Sequence, residues 1–222
     1  MQLMKSAARL HDELARSPRA SQLDPRGSDL SDPKDHAFRR RQDVRPEQIL
    51  LQPVIEAGRF ILRPLRRSDA GLISLYTSDK ALAEGTRAIP HPLPPGAAEA
   101  FVARALSDKR TEDIWVMDGS AQGNAEVLGI VSLTHIDRDQ SEITYWVAPG
   151  LWNSGLGSEA VAAMVAANPL RARTLFAEVF QDNPGSARVL TNCGFEYLGD
   201  AEAYSVARKA KVPTWTYIRK MI

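Results

Sequence analysis

The chain has a single cysteine, Cys193, in 222 residues. It can form no internal disulfide, and one thiol supplies neither a zinc knuckle nor a CxxC redox pair, so a reducing cytoplasmic setting and no bound metal are expected. Net charge is also missing. With 28 basic against 27 acidic side chains the formal balance is +1, which gives no global field to draw the protein to nucleic acid or to an anionic membrane. No uncharged apolar run approaches the roughly 18 residues of a membrane helix. The first residues, MQLMKSAARLHDELARS, scatter charges where a signal peptide has an unbroken apolar stretch. Aromatic residues are few, at 7%, and residues 1–50 hold only Phe38. That segment cannot bury enough surface to offset its ordering entropy. It is expected to be a flexible leader with a short helix over residues 3–16, and Arg39, Arg40 and Arg41 are read as a solvated charge cluster.

What remains, residues 54–222, has the composition of one compact domain. GRFILRPL alternates as a strand does, and Ser68-Asp69 offers an N-cap to the helix DAGLISLYTSD. A Pro-rich turn, IPHPLPPG, precedes an amphipathic helix with Ala98, Phe101, Val102 and Leu106 on one face. DIWVMD, EVLGIVSLTHID and SEITYWVA then read as an antiparallel meander. A helix over Gly155–Ala167 follows, then the strand TLFAEVF, the helix NPGSARVLTNC, and the strands FEYLGD and TWTYIRKM.

The chemistry is concentrated where SEITYWVA runs through a turn into the helix, at Trp152-Asn153-Ser154-Gly155-Leu156-Gly157-Ser158. Unpaired amides at a helix N-terminus and the helix dipole attract an anion, and glycine lets it approach. An ordinary strand-to-helix turn would also look like this, since a lone GxG is weak evidence. Downstream, after TLFAEVF, lies Asn183-Pro-Gly-Ser186-Ala-Arg-Val-Leu, followed by Gly194-Phe195-Glu196.

The ordered motifs W-x-x-G-x-G and N-x-x-S-x-x-V-L, each after a strand, resemble the GNAT superfamily of N-acetyltransferases over roughly residues 58–222. The branch they resemble acetylates ribosomal-protein N-termini, and Tyr145-Trp146 before the loop and Trp152 opening it fit that branch. The resemblance implies an α/β (α+β) fold with a mixed, mostly antiparallel sheet, flanking helices and two central strands, SEITYWVA and TLFAEVF, splayed to admit acetyl-CoA. Splayed strands leave backbone groups that the pantetheine amides could satisfy. Trp146 and Val147 are then cofactor contacts, together with Trp152 through Ser158 and Asn183, which also reads as an N-cap before Pro184. Gly194 is read as a helix terminator and Phe195 as core.

The implied reaction is direct acetyl transfer to a primary amine in a ternary complex, the acceptor being a small molecule or a protein N-terminus. The Val147 amide is the expected oxyanion donor, Ser186 the acid or an ordinary first-turn serine, and Glu142 the base, with Glu178 and His135 as alternatives. Cys193 has no paired histidine nearby in sequence and is not taken as a nucleophile. The acceptor walls are expected from Ala81–Gly96 and Asp200–Lys211. Gly157→Asp is expected to block acetyl-CoA without unfolding the protein. A homodimer is compatible with this reading. Two other readings stand: a CoA-binding sensor of the same fold without catalysis, and a nucleotide-binding α/β domain, which lacks both G-x-x-x-x-G-K-S/T and an early GxGxxG.

Overall fold

The computed structural model describes residues 52–137 and 139–221. The leader expected over residues 1–50, its short helix and the Arg39–Arg41 cluster lie outside the described residues. Eight strands form one sheet: β1 Ile55–Glu56, β2 Ile61–Pro64, β3 Glu112–Asp118, β4 Gly129–Asp137, β5 Gln140–Val147, β6 Thr174–Phe180, β7 Glu196–Ser205 and β8 Ala210–Lys220. Their spatial order is β1-β2-β3-β4-β5-β6-β8-β7. Every neighbouring pair is antiparallel except β5 and β6. The helices are α1 Ala70–Thr77, α2 Lys80–Glu84, α3 Ala97–Ala105, α4 Leu156–Ala167 and α5 Pro184–Asn192.

The sheet is covered on both faces, which explains why β3 reads Ile-Trp-Val-Met without alternation: Ile114, Trp115, Val116 and Met117 are all buried. One core, around Phe60, Trp115, Leu133, Ile143 and Leu175, is closed by Leu156, Val161 and Met164 of α4 and Leu190 of α5. The other packs Ile114, Val116 and Ile130 under Ile73 of α1 and Ala98 and Val102 of α3. The period expected for α3 places Ala98 and Val102 inward, whereas Leu106 is exposed beyond the helix end. No helix among the described residues is long and apolar enough to cross a membrane.

Asp69 departs from its expected capping role. A turn of 3-10 helix over Arg67–Asp69 precedes α1, and the Asp69 side chain caps nothing in α1. Instead it accepts from the Arg66 amide at 2.7 Å and receives both terminal nitrogens of Arg63, at 2.8 and 2.9 Å. Arg63 Nε also donates to Asp118 at 2.5 Å. Arg63 is 2% exposed, Asp69 1% and Asp118 5%. A guanidinium buried this deeply outcompetes a helix cap for the carboxylate, because an unpaired charge in the interior costs far more than a lost cap.

The last two strands are longer than FEYLGD and TWTYIRKM suggested. β7 continues to Ser205 past an irregularity at Tyr197/Gly199, and β8 starts at Ala210. The hairpin tip reaches back across the molecule: the Val206 amide donates to the Arg87 carbonyl at 3.0 Å and Arg208 Nε to the Glu84 carbonyl at 2.9 Å.

Candidate active site

The turn between β5 and α4 is built from backbone demands. After a 3-10 turn over Pro149–Leu151, the Ser154 hydroxyl donates to the Leu151 carbonyl at 2.5 Å and Arg59 Nη1 to the Ser154 carbonyl at 3.0 Å. Gly155 enters α4 with φ +82°, a left-handed conformation that a side chain would strain. No side chain caps α4, and its first internal bond runs from the Glu159 amide to the Gly155 carbonyl. The amides of Leu156, Gly157 and Ser158 therefore stand without an intrahelical partner, as an anion site requires.

These residues line a cavity of about 650 Å³ that contains every residue expected to hold acetyl-CoA: Trp146, Val147, Trp152, Asn153, Ser154, Gly155, Leu156, Gly157, Ser158 and Asn183. Ser186 lines it too. Arg188 and Arg208 add positive charge to the same walls; Arg208 is paired with Asp182, while Arg188 has no ion pair among the described residues. The residues suit a pyrophosphate and a pantetheine arm. A Cβ at Gly157 would lie 3.4 Å from Val189 Cγ2 and 3.7 Å from Val147 Cγ2, ordinary van der Waals contact, and its amide is the group it offers to an anion.

The splay expected between the central strands is present. β5 and β6 pair only at Gln140↔Thr174, Ser141↔Leu175 and Glu142↔Phe176, then diverge. On the other side β5 stays paired with β4, and the Ala148 amide bonds the Leu128 carbonyl. Antiparallel alternation from that bond directs the backbone of Trp146 toward β4 and the backbones of Tyr145 and Val147 into the gap. Trp146 therefore meets the cavities through its side chain, and Tyr145 joins Val147 as a source of gap-facing amides. The Val147 carbonyl is taken by Trp152 Nε1 at 2.8 Å.

A second cavity, of about 640 Å³, lies on the face covered by α1 and α3. The two share Gly85, Thr86, Tyr145, Trp146, Asn183 and Ser186, so they communicate through the splay. Asn183 is the expected N-cap, its Oδ1 accepting from the Ser186 amide at 3.2 Å with Pro184 following. The Tyr145 hydroxyl donates to the Ser186 carbonyl at 2.8 Å, fixing the first turn of α5 against β5. Burial pushes the Tyr145 phenol far above its ordinary pKa, so it stays protonated and stays a donor. The Ser186 hydroxyl has no protein partner among the described residues.

Glu142 and Glu178 are brought together by Arg87, which donates to Glu142 and, at 2.7 Å, to Glu178. Glu178 also accepts from Thr214 Oγ1 at 2.6 Å. Burial pushes the Glu142 carboxyl up, Arg87 pulls it back, Glu178 adds to the rise, and the result lies above the ordinary value. Arg87, Glu178 and Thr214 line the second cavity, and Glu142 stands behind the guanidinium. His135 is exposed and lines neither cavity. Cys193 is buried, its thiol donating to the Ser158 carbonyl at 3.3 Å, and burial raises its pKa. Of the expected acceptor walls, residues 85–90 and Leu93 do line this cavity, whereas the hairpin of β7 and β8 contributes Thr214 and otherwise braces the loop from outside. Arg87, Tyr145 and Arg188 were given no role by sequence reasoning. Arg188 sits inside the N-x-x-S-x-x-V-L run and a positive residue there was open to notice; Arg87, within Gly-Thr-Arg-Ala-Ile-Pro, carries no motif.

The sequence model of the Acetyltransferase (GNAT) domain matches residues 59–196. No curated protein matches the chain. Among solved structures, the chain is similar to a ribosomal-protein-S5-alanine acetyltransferase from Vibrio fischeri, with 19% identity and a TM-score of 0.64 over 77% of this chain and 97% of that one. It is similar to the microcin C7 self-immunity acetyltransferase in complex with acetyl-CoA and AMP, with 15% identity and a TM-score of 0.65 over 78% and 99%. A spermidine N-acetyltransferase from Vibrio cholerae, in complex with CoA and spermine, gives 16% and 0.62 over 73% and 96%.

Proposed function

The chain belongs to the GNAT acetyltransferase family, and on that premise we propose that residues 54–222 bind acetyl-CoA at Trp152–Ser158 and pass its acetyl group directly to a primary amine in the cavity beneath α1 and α3. The observation that carries this reading is the continuity of the two cavities through the splay of β5 and β6. A donor entering from the α4 side and an amine entering from the α1 side can meet there without a covalent enzyme intermediate. The neutral amine forms the new bond to the thioester carbon, the carbon–sulfur bond breaks, and the sulfur leaves as thiolate. Glu142, directly or through water, first takes the proton that turns the entering ammonium into the neutral amine. The nitrogen loses a second proton as the tetrahedral adduct collapses, and that proton ends on the leaving sulfur, while the gap-facing amides of Tyr145 and Val147 are donors for the carbonyl oxygen as it gains charge. The Ser186 hydroxyl, on the boundary of both cavities, is the candidate acid for the thiolate. A thiol is a fairly good leaving group, so positioning matters more than that last proton.

Ser158→Asp tests the donor site. Ser158 is the third residue of α4, where a carboxylate interacts favourably with the helix dipole and should leave the ligand-free melt unchanged. In the cavity it sets a negative charge against the pyrophosphate. Wild-type protein with acetyl-CoA at about 100 times its Kd should gain roughly 2.7 kcal/mol, and the variant almost nothing. A variant that melts normally and keeps the full gain would make the α4 turn a structural feature only. Donor binding without acetylation of any amine would favour a CoA sensor.

A further inference from the structure

The acceptor cavity separates charge from apolar surface by rows of the sheet. On the face beneath α1 and α3, Glu112, Thr134 and Glu142 stand opposite one another across β3, β4 and β5. Glu178 presents to the same cavity from β6. The next rows on that face, toward the open end of the splay, hold Ile114, Ser132 and Thr144 and then Ile130 and Trp146, with Ile73 of α1 and Phe101 of α3 closing the wall. The charges almost cancel. Glu142 and Glu178 share Arg87, Glu112 remains, and Arg104 stands in the wall beside Phe101. Three carboxylates against two guanidiniums leave a single negative charge.

One ammonium is therefore matched, and a chain of several is not. A polyamine would place further cations against Ile114, Ile130 and Phe101 and near Arg104, where nothing compensates them and desolvation is costly. From this sorting we infer that the acceptor is a singly charged primary amine attached to an apolar body, its nitrogen at the Glu142–Arg87–Glu178 end and its body along the Ile114–Ile130–Phe101 wall. The inference rests on the transfer reading above and narrows it. A small arylalkylamine and the first residue of a peptide with an apolar side chain share this chemistry.

The test uses the full chain at saturating acetyl-CoA with three acceptors: 2-phenylethylamine, a tripeptide amide beginning with phenylalanine, and spermidine. Product mass and released thiol are read together. The better of the first two should exceed spermidine in kcat/KM by about 100-fold, an ordinary size for discrimination against unpaired charge, and whichever leads identifies the source. Arg104→Glu, on an exposed position of α3, should raise the spermidine-to-phenylethylamine ratio about tenfold. Equal or better use of spermidine by the wild type, or an unmoved ratio in Arg104→Glu, overturns this inference alone. Acetylation of no amine by protein that acetyl-CoA still stabilises overturns acetyl transfer and the inference with it.

Discussion

Glu142→Gln should lower kcat/KM at neutral pH by about 10²- to 10⁴-fold, the range that a positioned base contributes, and leave the acetyl-CoA Kd unchanged. The glutamine keeps a partner for the Arg87 guanidinium through its carbonyl oxygen, so loss of proton uptake, and not loss of packing, is what the variant reports. Glu178→Gln is the paired measurement. If that variant carries the large loss and Glu142→Gln does not, the base is Glu178, which lines the cavity and is oriented by Thr214. The pH profile supplies an independent signature. Glu142 titrates above the ordinary carboxylate value because burial outweighs the pull of Arg87, and a base is competent only when deprotonated, so activity should rise as pH climbs through that raised value. Arg87→Gln removes the one influence that lowers it and leaves burial and the neighbouring Glu178 charge. The acidic limb should then move to higher pH. A limb that stays in place would separate Arg87 from the titration of the base.

Arg63→Met should destabilise the fold by about 3–5 kcal/mol, the usual consequence of removing one partner from a buried ion pair, measured as a lower urea midpoint with little change in slope. Two carboxylates, Asp69 and Asp118, would be left facing each other in the interior. Replacing them as well would not restore the loss, because Asp69 also holds the Arg66 amide and Asp118 the Ser120 amide and hydroxyl. The pH dependence follows from Asp118. Burial raises its pKa, but hydrogen bonds from Ser120 and Arg63 outweigh that and hold it below the ordinary value. Its contribution to stability is present above the unfolded-state pKa and is lost as pH falls through the lower folded one. Arg63→Met should therefore flatten the acid side of the stability curve. A loss under about 1 kcal/mol would mean that the cluster is solvated in solution.

Local information was legible in the sequence and non-local information was not. The α4 turn and the start of α5 are written in short runs whose glycine, asparagine and proline have position-specific backbone meanings, and the structure places them on one cavity. The strands bounding the wedge were identifiable because TLFAEVF and SEITYWVA are rich in β-branched and aromatic residues. Arg87 escaped because its partners lie 55 and 91 residues away, and nothing in a loop of threonine, alanine and proline signals a carboxylate bridge. Asp69 was misread for a different reason: its partner Arg63 is only six residues away, and a capping residue beside a helix start is a sound inference until the burial of that arginine, which the local pattern does not show, claims the carboxylate.

The short seam between β5 and β6 also has a consequence for the heat of binding. Beyond Glu142, the Val147 carbonyl held by Trp152 Nε1 excepted, the facing amides and carbonyls of the two strands are matched by solvent in the free protein, as exposed backbone must be. A donor that replaces those waters with amides of its own exchanges hydrogen bonds nearly one for one. The wall of Ile114, Ile130 and Phe101 behaves otherwise, since apolar surface leaving water lowers the heat capacity. The affinity of the two substrates should accordingly respond to temperature in different ways, with most of the curvature belonging to the amine.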